Sequence, residues 1–334
     1  MKILVTGANG HLGFNLVAQL LHTEHTIRGS IRSLEDKSKV ARLKALGNIE
    51  VVAAELDNPA QLQAAMEDID IVFHTAAMYA YVAPGRDSEI IDASVKGIEN
   101  AFHAAAAARV KKIVLTSSIV TLPLTDPGAP PADETQWTED LTVAYIRAKT
   151  EGEKLAWDIA KRRKINLVTV LPGGISGPGF VRNTPTIDII EAMKLGALRL
   201  GVPNMNFPIV DVRDVAAAHI VAAEQDCEGR FVVCNDTAPT FTAMLKTLHT
   251  IDPKIPLPFM VMPNFMMGAM RLFDKFNNLT LGSPLIVNPE LMVTLKGKIW
   301  NVSNQRIKDV LGWRQGISLE QSLRDTLAAI NTRE

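Results

Sequence analysis

Tyr145 and Lys149 stand four positions apart, a spacing that puts both side chains on one face of a helix. A phenol beside an ammonium is a proton-donating pair. The ordinary tyrosine pKa near 10 leaves little phenolate at neutrality, and lowering it to about 7 takes roughly 4 kcal/mol of preferential anion stabilisation, part of which a nearby ammonium supplies. Such a pair can give a proton to a carbonyl oxygen as hydride reaches the carbon, provided a hydride source is bound. The sequence points to that source near its start, where Thr6-Gly7-Ala8-Asn9-Gly10-His11-Leu12-Gly13 follows an apolar run and precedes a helix-like stretch. In that context the glycines form a dinucleotide cradle: Gly7 for the tight turn, Gly10 for pyrophosphate clearance at the positive helix end, and Gly13 for close helix packing. Ser117 and Ser118 end another apolar run. Ser118 is assigned to the substrate oxygen, and Ser117 reads as a cap of the following loop.

A sheet must bring these distant segments together. Short β-branched runs, each followed by a turn and an apolar-periodic stretch, predict parallel strands at 3–6, 25–31, 49–53, 69–74, 113–116 and 167–171. Helices are expected at 12–21, 90–108 and 143–160, the second favoured by six alanines at 101 and 104–108. Residues 121–137, with Pro123, Pro127, Pro130 and Pro131, read as a loop. Pro172-Gly173-Gly174 ends the last of these strands and lets the backbone approach a ligand. Beyond it the alternation weakens. The reading is an α/β fold: a Rossmann-type doubly wound parallel sheet with a smaller, mostly C-terminal substrate lobe. Residues 1–172, with return segments near 209–234, form the dinucleotide-binding domain, and 173–208 with 235–334 form the substrate-binding lobe. The stretch 259–270 holds five of the 12 methionines and suits core packing, a lipophilic pocket wall or an exposed interface.

The residues after the second strand choose the dinucleotide. Arg32 and Lys39 can pair with a 2′-phosphate, which favours NADP(H), whereas Glu35 or Asp36 could hold a free ribose diol and admit NAD(H). Charge excludes other classes. With 35 basic against 36 acidic residues the chain has no polybasic character suited to nucleic acid. Cys227 and Cys234 form no disulfide framework, and a reducing cytoplasm is the expected setting. Neither a leader nor a bilayer-length apolar run is read, and no membrane span is expected. The seven histidines show no ligand set, so no metal is expected. His11 is expected to face solvent and His74 to be structural.

The motifs together resemble the extended short-chain dehydrogenase/reductase family, in its dihydroflavonol reductase, cinnamoyl-CoA reductase and 3β-hydroxysteroid dehydrogenase branch. The likeness rests on the glycine cradle, Thr116-Ser117-Ser118, Asp133-Glu134-Thr135-Gln136-Trp137, the run Tyr145-Ile146-Arg147-Ala148-Lys149-Thr150-Glu151-Gly152-Glu153, and later on Val210-Asp211-Val212-Arg213-Asp214-Val215-Ala216 and Leu311-Gly312-Trp313. It implies a catalytic triad of Ser118, Tyr145 and Lys149. It implies cofactor contacts from Gly7, Asn9, Gly10, His11, Leu12 and Gly13, from Arg32 and Lys39 at the phosphate, and from Glu55 and Leu56 beside adenine. Ala76, Ala77 and Met78 would line the dinucleotide, with Pro172 and Ile175 at the nicotinamide ring. Ser94 departs from the asparagine that many members carry, and Glu55 from a usual aspartate.

The activity so implied is an NADP(H)-dependent interconversion of a ketone or aldehyde with an alcohol, on an apolar or aromatic substrate. Met78, Tyr79, Tyr81, Phe180 and the methionine-rich stretch are candidate lining residues, and a homodimer is expected. Two alternatives stand beside it. A nucleotide-sugar epimerase or dehydratase needs basic contacts to a diphosphate, for which 178–208 offers Arg182, Lys194 and Arg199 without a dense cluster. A non-catalytic dinucleotide-binding regulatory protein needs no triad.

Overall fold

The central strands are near-continuous apolar runs, Ile3-Leu4-Val5, Ile71-Val72-Phe73 and Ile113-Val114-Leu115 all being buried, as a sheet covered by helices on both faces requires. The computed structural model describes residues 1–76, 87–262, 267–284 and 297–332. In chain order its elements are β1 (Lys2–Thr6), α1 (His11–Leu20), β2 (Thr26–Ile31), α2 (Lys37–Lys44), β3 (Glu50–Ala53), α3 (Pro59–Ala65), β4 (Ile71–His74), α4 (Asp87–Ala107) and β5 (Lys112–Thr116). A one-turn 3-10 helix (Ile119–Thr121) leads to α5 (Ala144–Arg163), β6 (Asn166–Pro172), β7 (Gly174–Ser176), α6 (Pro185–Lys194), β8 (Val202–Pro203) and β9 (Ile209–Asp211). Then come α7 (Val212–Glu224), β10 (Gly229–Val233), α8 (Phe241–Ile251), β11 (Val261–Met262), α9 (Met267–Leu281), α10 (Gln305–Leu311) and α11 (Leu319–Asn331).

Seven parallel strands form one sheet in the order β10-β6-β5-β4-β1-β2-β3. The winding reverses between β1 and β4. At such a switch point the connections leave in opposite directions and open a crevice beyond the carboxyl ends of the strands. Alternate residues feed opposite layers, as the two-residue period of a strand dictates. Ile3, Val5, Phe73 and Val114 pack with Leu16 and Val17 of α1 and Ala216 of α7. Leu4, Val72, Ile113 and Leu115 pack with Leu62 of α3, Phe102 of α4 and Ile159 of α5.

A third apolar cluster lies away from the sheet and draws on Ile187 and Ile190 of α6, Met244 and Leu248 of α8, and Leu323 and Leu327 of α11. Residues 209–211 pair with β7 in a small sheet of their own, while β10 joins the main sheet beside β6. The approach of β7 to this segment is tight. Gly174 donates its amide to the Pro208 carbonyl at 2.8 Å, and a Cβ on Gly173 would sit 2.6 Å from the same oxygen.

The methionine-rich stretch divides. Phe259 is 88% exposed and Met262 is buried, whereas 263–266 lie outside the described residues. So do Ala77, Met78, Tyr79 and Tyr81. Phe180 is buried in the third cluster, its ring edge-on to His11 with centroids 5.3 Å apart. Among the described residues no helix is long and apolar enough to cross a membrane.

Candidate active site

The carboxyl ends of β4 and β5 face α5 across a cleft whose walls include His74, Ala76, Ser94, Ser117, Tyr145 and Lys149. Tyr145 occupies the first turn of α5, and Lys149 follows one turn later on the same face. The Tyr145 ring packs against the apolar group of Ile119, Leu122, Val143 and Leu171, so its direction is fixed by packing. Lys149 keeps some surface toward the cleft, but its ammonium is enclosed by protein. That desolvation draws its pKa below the usual value, to about 8, against the pull of Glu153. A substantial part of the lysine population near neutrality is therefore still a cation, held at the cleft wall.

The two serines divide the work differently from a simple cap and catalyst. Ser117 lines the cleft, but its hydroxyl donates to the Glu153 carboxylate at 2.6 Å, so its one proton is committed. Ser118 caps the one-turn helix, its Oγ accepting from the Val120 amide at 3.3 Å. Accepting leaves the Ser118 proton free to be given elsewhere. Behind them, Thr116 and His219 are joined by a 2.8 Å hydrogen bond, and the other His219 nitrogen lies 2.8 Å from the Val215 carbonyl. The carbonyl can only accept, so Nδ1 carries the proton and Thr116 donates to Nε2. Burial lowers the His219 pKa to about 4 and keeps the ring neutral.

His74 is a cleft residue as well as a core one. Its Nδ1 lies 3.1 Å from Thr6 Oγ1, its Nε2 is buried without a hydrogen-bond partner among the described residues, and burial together with the Lys149 charge lowers its pKa to about 4. His11 does not face solvent. Its Nε2 donates to the carbonyls of Gly177 and Pro178, each at 3.1 Å, and burial lowers its pKa to about 4. The expectation failed because those carbonyls come from a segment after β7, far along the chain, that lies over the start of α1.

The cradle has the clearances a pyrophosphate needs. Gly7 has φ +66°, and a Cβ there would meet the Ala76 Cα at 2.9 Å. A Cβ on Gly13 would stand 2.3 Å from the Gly7 carbonyl oxygen, which measures how closely helix and turn approach. Gly10 is the N-cap of α1 and supplies no side-chain cap, so the first-turn amides contributed by His11, Leu12 and Gly13 have no such partner at the positive helix end. His11 Nδ1 and His74 Nε2, two buried nitrogens without hydrogen-bond partners among the described residues, flank this edge. These features fit a dinucleotide lying from the cradle to Lys149.

At the other end, Arg32 is exposed directly after β2 and has no ion-pair partner among the described residues. Lys39 is held 2.6 Å from Asp36, whose carboxylate also caps α2 and lies far below the usual carboxylate range because Lys39 donates to it. Asp36 is thereby occupied. Arg28, in β2 itself, is structural: it is buried and pairs with Glu50 at 2.8 Å. Leu56 lines the cleft, and Glu55 beside it uses its amide to bond Gln61. Pro172 ends β6, and Ile175 lies in β7 against the first core layer. Neither belongs to the described cleft wall. Asn9 lies in the turn between β1 and α1.

Several motif residues turn out to hold the frame. Trp313 donates to the Asp214 carbonyl at 3.0 Å, and the Asp214 carboxylate accepts the amides of Gly316 and Ile317. The segment 133–137 closes around Arg230, which donates to the carbonyls of Glu134 and Gln136 and stacks on Trp137 at 3.6 Å. Arg230, Thr169 and Glu153 were not singled out in the sequence. Glu153 could have been, since it stands four residues beyond Lys149.

The sequence profile of the NAD dependent epimerase/dehydratase family matches residues 3–234. The chain belongs to that family. Within it the chain is similar to cinnamoyl-CoA reductase 2 of Medicago truncatula, with 33% identity over 273 residues, covering 77% of this chain and 78% of that protein. It is also similar to an anthocyanidin reductase of Vitis vinifera, with 29% identity over 281 residues, 76% of this chain and 82% of the other. The crystal structure of gox2253 superposes with a TM-score of 0.83 at 25% identity, covering 99% of this chain and 98% of that one. The doubly wound fold and the reductase branch read from the motifs are both borne out.

Proposed function

We propose that the chain is an NADP(H)-dependent reductase that interconverts a ketone or aldehyde with an alcohol on an apolar or aromatic substrate. The observation that carries this reading is the enclosed Lys149 ammonium one turn from Tyr145 in a cleft at the carboxyl ends of β4 and β5. Gly7, Gly10 and Gly13, with the first-turn amides of α1, would hold the pyrophosphate, and Arg32 the 2′-phosphate. Ala76, Ala77, Met78, Leu56, Pro172 and Ile175 are proposed along the dinucleotide, with Lys149 at the nicotinamide ribose. When bound, the dinucleotide supplies or takes up the hydride. The protein does the rest. Ser118 gives its free proton to the substrate oxygen as a hydrogen bond, Tyr145 transfers its phenolic proton to that oxygen, and Lys149 stabilises the negative charge left on the phenol. Naming of relatives as cinnamoyl-CoA and anthocyanidin reductases supports an aromatic substrate.

A panel of aromatic aldehydes, flavanones, steroid ketones and β-keto esters, each followed with NADPH and NADH, tests the reading. Carbonyl-dependent NADPH oxidation with at least one class is expected. Turnover of nucleotide sugars alone would replace it with the epimerase reading, and cofactor binding without turnover would leave a regulatory protein.

Arg32→Ala checks the phosphate assignment. A charge-assisted pair with phosphate is stronger than a neutral one, so the KM for NADPH is expected to rise about tenfold while that for NADH changes little. Equal changes would reject Arg32 as the phosphate ligand.

The titration of Lys149 gives opposite slopes to activity and stability. Its pKa of about 8 in the folded chain lies below the usual lysine value, so between the two the unfolded chain binds more protons and stability rises with pH. Below about 8 the folded protein carries the burden of an enclosed charge. The working ammonium, however, is lost through the same interval, so kcat/KM for carbonyl reduction is expected to fall as pH rises past about 8. Rate and urea-unfolding profiles measured over that range check both signs. Parallel slopes would contradict the assignment.

A further inference from the structure

Glu153 lies one turn beyond Lys149 on α5 and lines the same cleft, yet the proposed chemistry leaves it unused. A carboxylate so deep is costly unless every lone pair finds a donor. Here each does. Ser117 Oγ donates to Oε2 at 2.6 Å, Thr169 Oγ1 to Oε1 at 2.8 Å, and Arg230 Nε to Oε1 at 2.9 Å. The side chains of Glu153 and Arg230 are 1% and 8% exposed, so this is a buried ion pair. Arg230 passes the connection outward, with Nη2 on Thr121 Oγ1 at 2.7 Å and Nη1 on the Glu134 and Gln136 carbonyls at 2.8 and 2.7 Å. One carboxylate therefore ties the catalytic helix to the end of β5, to β6, to β10 and, through Arg230, to the segment that follows Ser118.

We propose that Glu153 is a positioning residue for the reduction: its clamped carboxylate keeps Lys149 a cation and locks α5 to the strand end that carries Ser117 and Ser118. The inference rests on the reductase reading above. Packing alone does not explain the arrangement, because an apolar residue among the same neighbours would fill the space without a desolvated charge. The clamp also has a direction. With its oxygens satisfied by Ser117, Thr169 and Arg230, Glu153 has no need of a hydrogen bond from Lys149, and its negative charge acts on the ammonium from one turn along the same cleft wall.

The groups around Lys149 make Glu153 the decisive one. His74 from β4 is neutral and brings no charge to the ammonium, Tyr145 stands on its own helix, and His219 lies beyond Thr116. From α4, packed alongside, Ser94 faces the cleft while Asp92, Lys96 and Glu99 are exposed. Arg230 stands behind Glu153. Among the described residues, Glu153 is the group that raises the Lys149 pKa.

The test reads Lys149 directly, in the free full-length protein, by NMR titration of its isotopically labelled side chain, assigned from the signal missing in Lys149→Arg. Glu153→Gln is expected to lower the midpoint by about one pH unit, as loss of an adjacent opposite charge does. The basic limb of kcat/KM should move down by the same amount, and Glu153→Asp should restore both in part. Glu153→Gln leaves Arg230 uncompensated, so Glu153→Gln/Arg230→Gln, neutral at both positions, is measured with it and should show the same lowered midpoint. An unmoved midpoint in the variants that fold would overturn the proposal and reduce Glu153 to a structural role, visible as a lower Tm alone. A wild-type protein that turns over no carbonyl, yet whose midpoint still responds to Glu153, would instead remove the reductase reading.

Discussion

Tyr145→Phe should reduce carbonyls about a thousandfold more slowly than the parent while binding NADPH within about twofold, the range general acid catalysis contributes. The substitution removes one oxygen and keeps the ring. That ring is held by Ile119, Leu122, Val143 and Leu171, contacts a phenylalanine repeats, so α5 and the enclosed Lys149 stay in place. What is lost is the proton delivered as charge develops on the substrate oxygen. Because that interaction belongs to the transition state, kcat and kcat/KM should fall together and KM should stay nearly constant. Lys149→Met provides the contrast: removing the ammonium withdraws both the electrostatic support of Tyr145 and the proposed ribose contact, so binding and rate should both suffer. Single-turnover NADPH oxidation and a fluorescence titration separate the two. A Tyr145→Phe protein that kept more than about a tenth of the parental kcat would remove the phenol from the proton-donor role.

What could be read from the chain beforehand was what local spacing determines. Glycines between a strand and a helix have few backbone solutions, and a tyrosine four residues before a lysine shares its face on any helix; the described elements place both groups at the same sheet edge. Helices α2 and α3 were not singled out because α2 buries only Leu43 and so lacks an apolar period, while α3 is announced by its Asn58 cap and Pro59 alone. Contacts set by strand order were harder. Arg230 reaches Glu153 because β10 lies beside β6, a neighbour relation that neither sequence segment expresses. The Ser117 role is likewise set by a distant element, since only the approach of Glu153 on α5 to the end of β5 reveals that the Ser117 proton is already given. The place of His11 is illegible in the sequence for the equivalent reason, its partners Gly177 and Pro178 being brought over α1 by the chain that follows β7.

Gly13→Ala and Gly10→Ala should separate the two things a glycine cradle does. At Gly13 an added Cβ would lie 2.3 Å from the Gly7 carbonyl oxygen and 3.0 Å from the Ala8 Cα, both backbone atoms that cannot rotate away. Relief requires α1 to move off β1, opening the packing of Leu16 and Val17 against the sheet. Overpacking of this kind costs about 1–3 kcal/mol, and here it also shifts the first-turn amides that would meet the pyrophosphate. Both thermal stability and NADPH affinity should therefore drop, the latter by about a hundredfold if the amides move by even an ångström. At Gly10 the nearest atom to an added Cβ is the same oxygen at 3.2 Å, a contact the turn can absorb with a small adjustment. The fold should then survive nearly intact, while the methyl group stands where the phosphate must approach, and NADPH affinity should fall about tenfold or more. Calorimetric melting and equilibrium NADPH binding on the two proteins check the division. If Gly10→Ala bound NADPH as tightly as the parent, the turn would be a structural link between β1 and α1, and the dinucleotide would have to be sought elsewhere on the sheet edge.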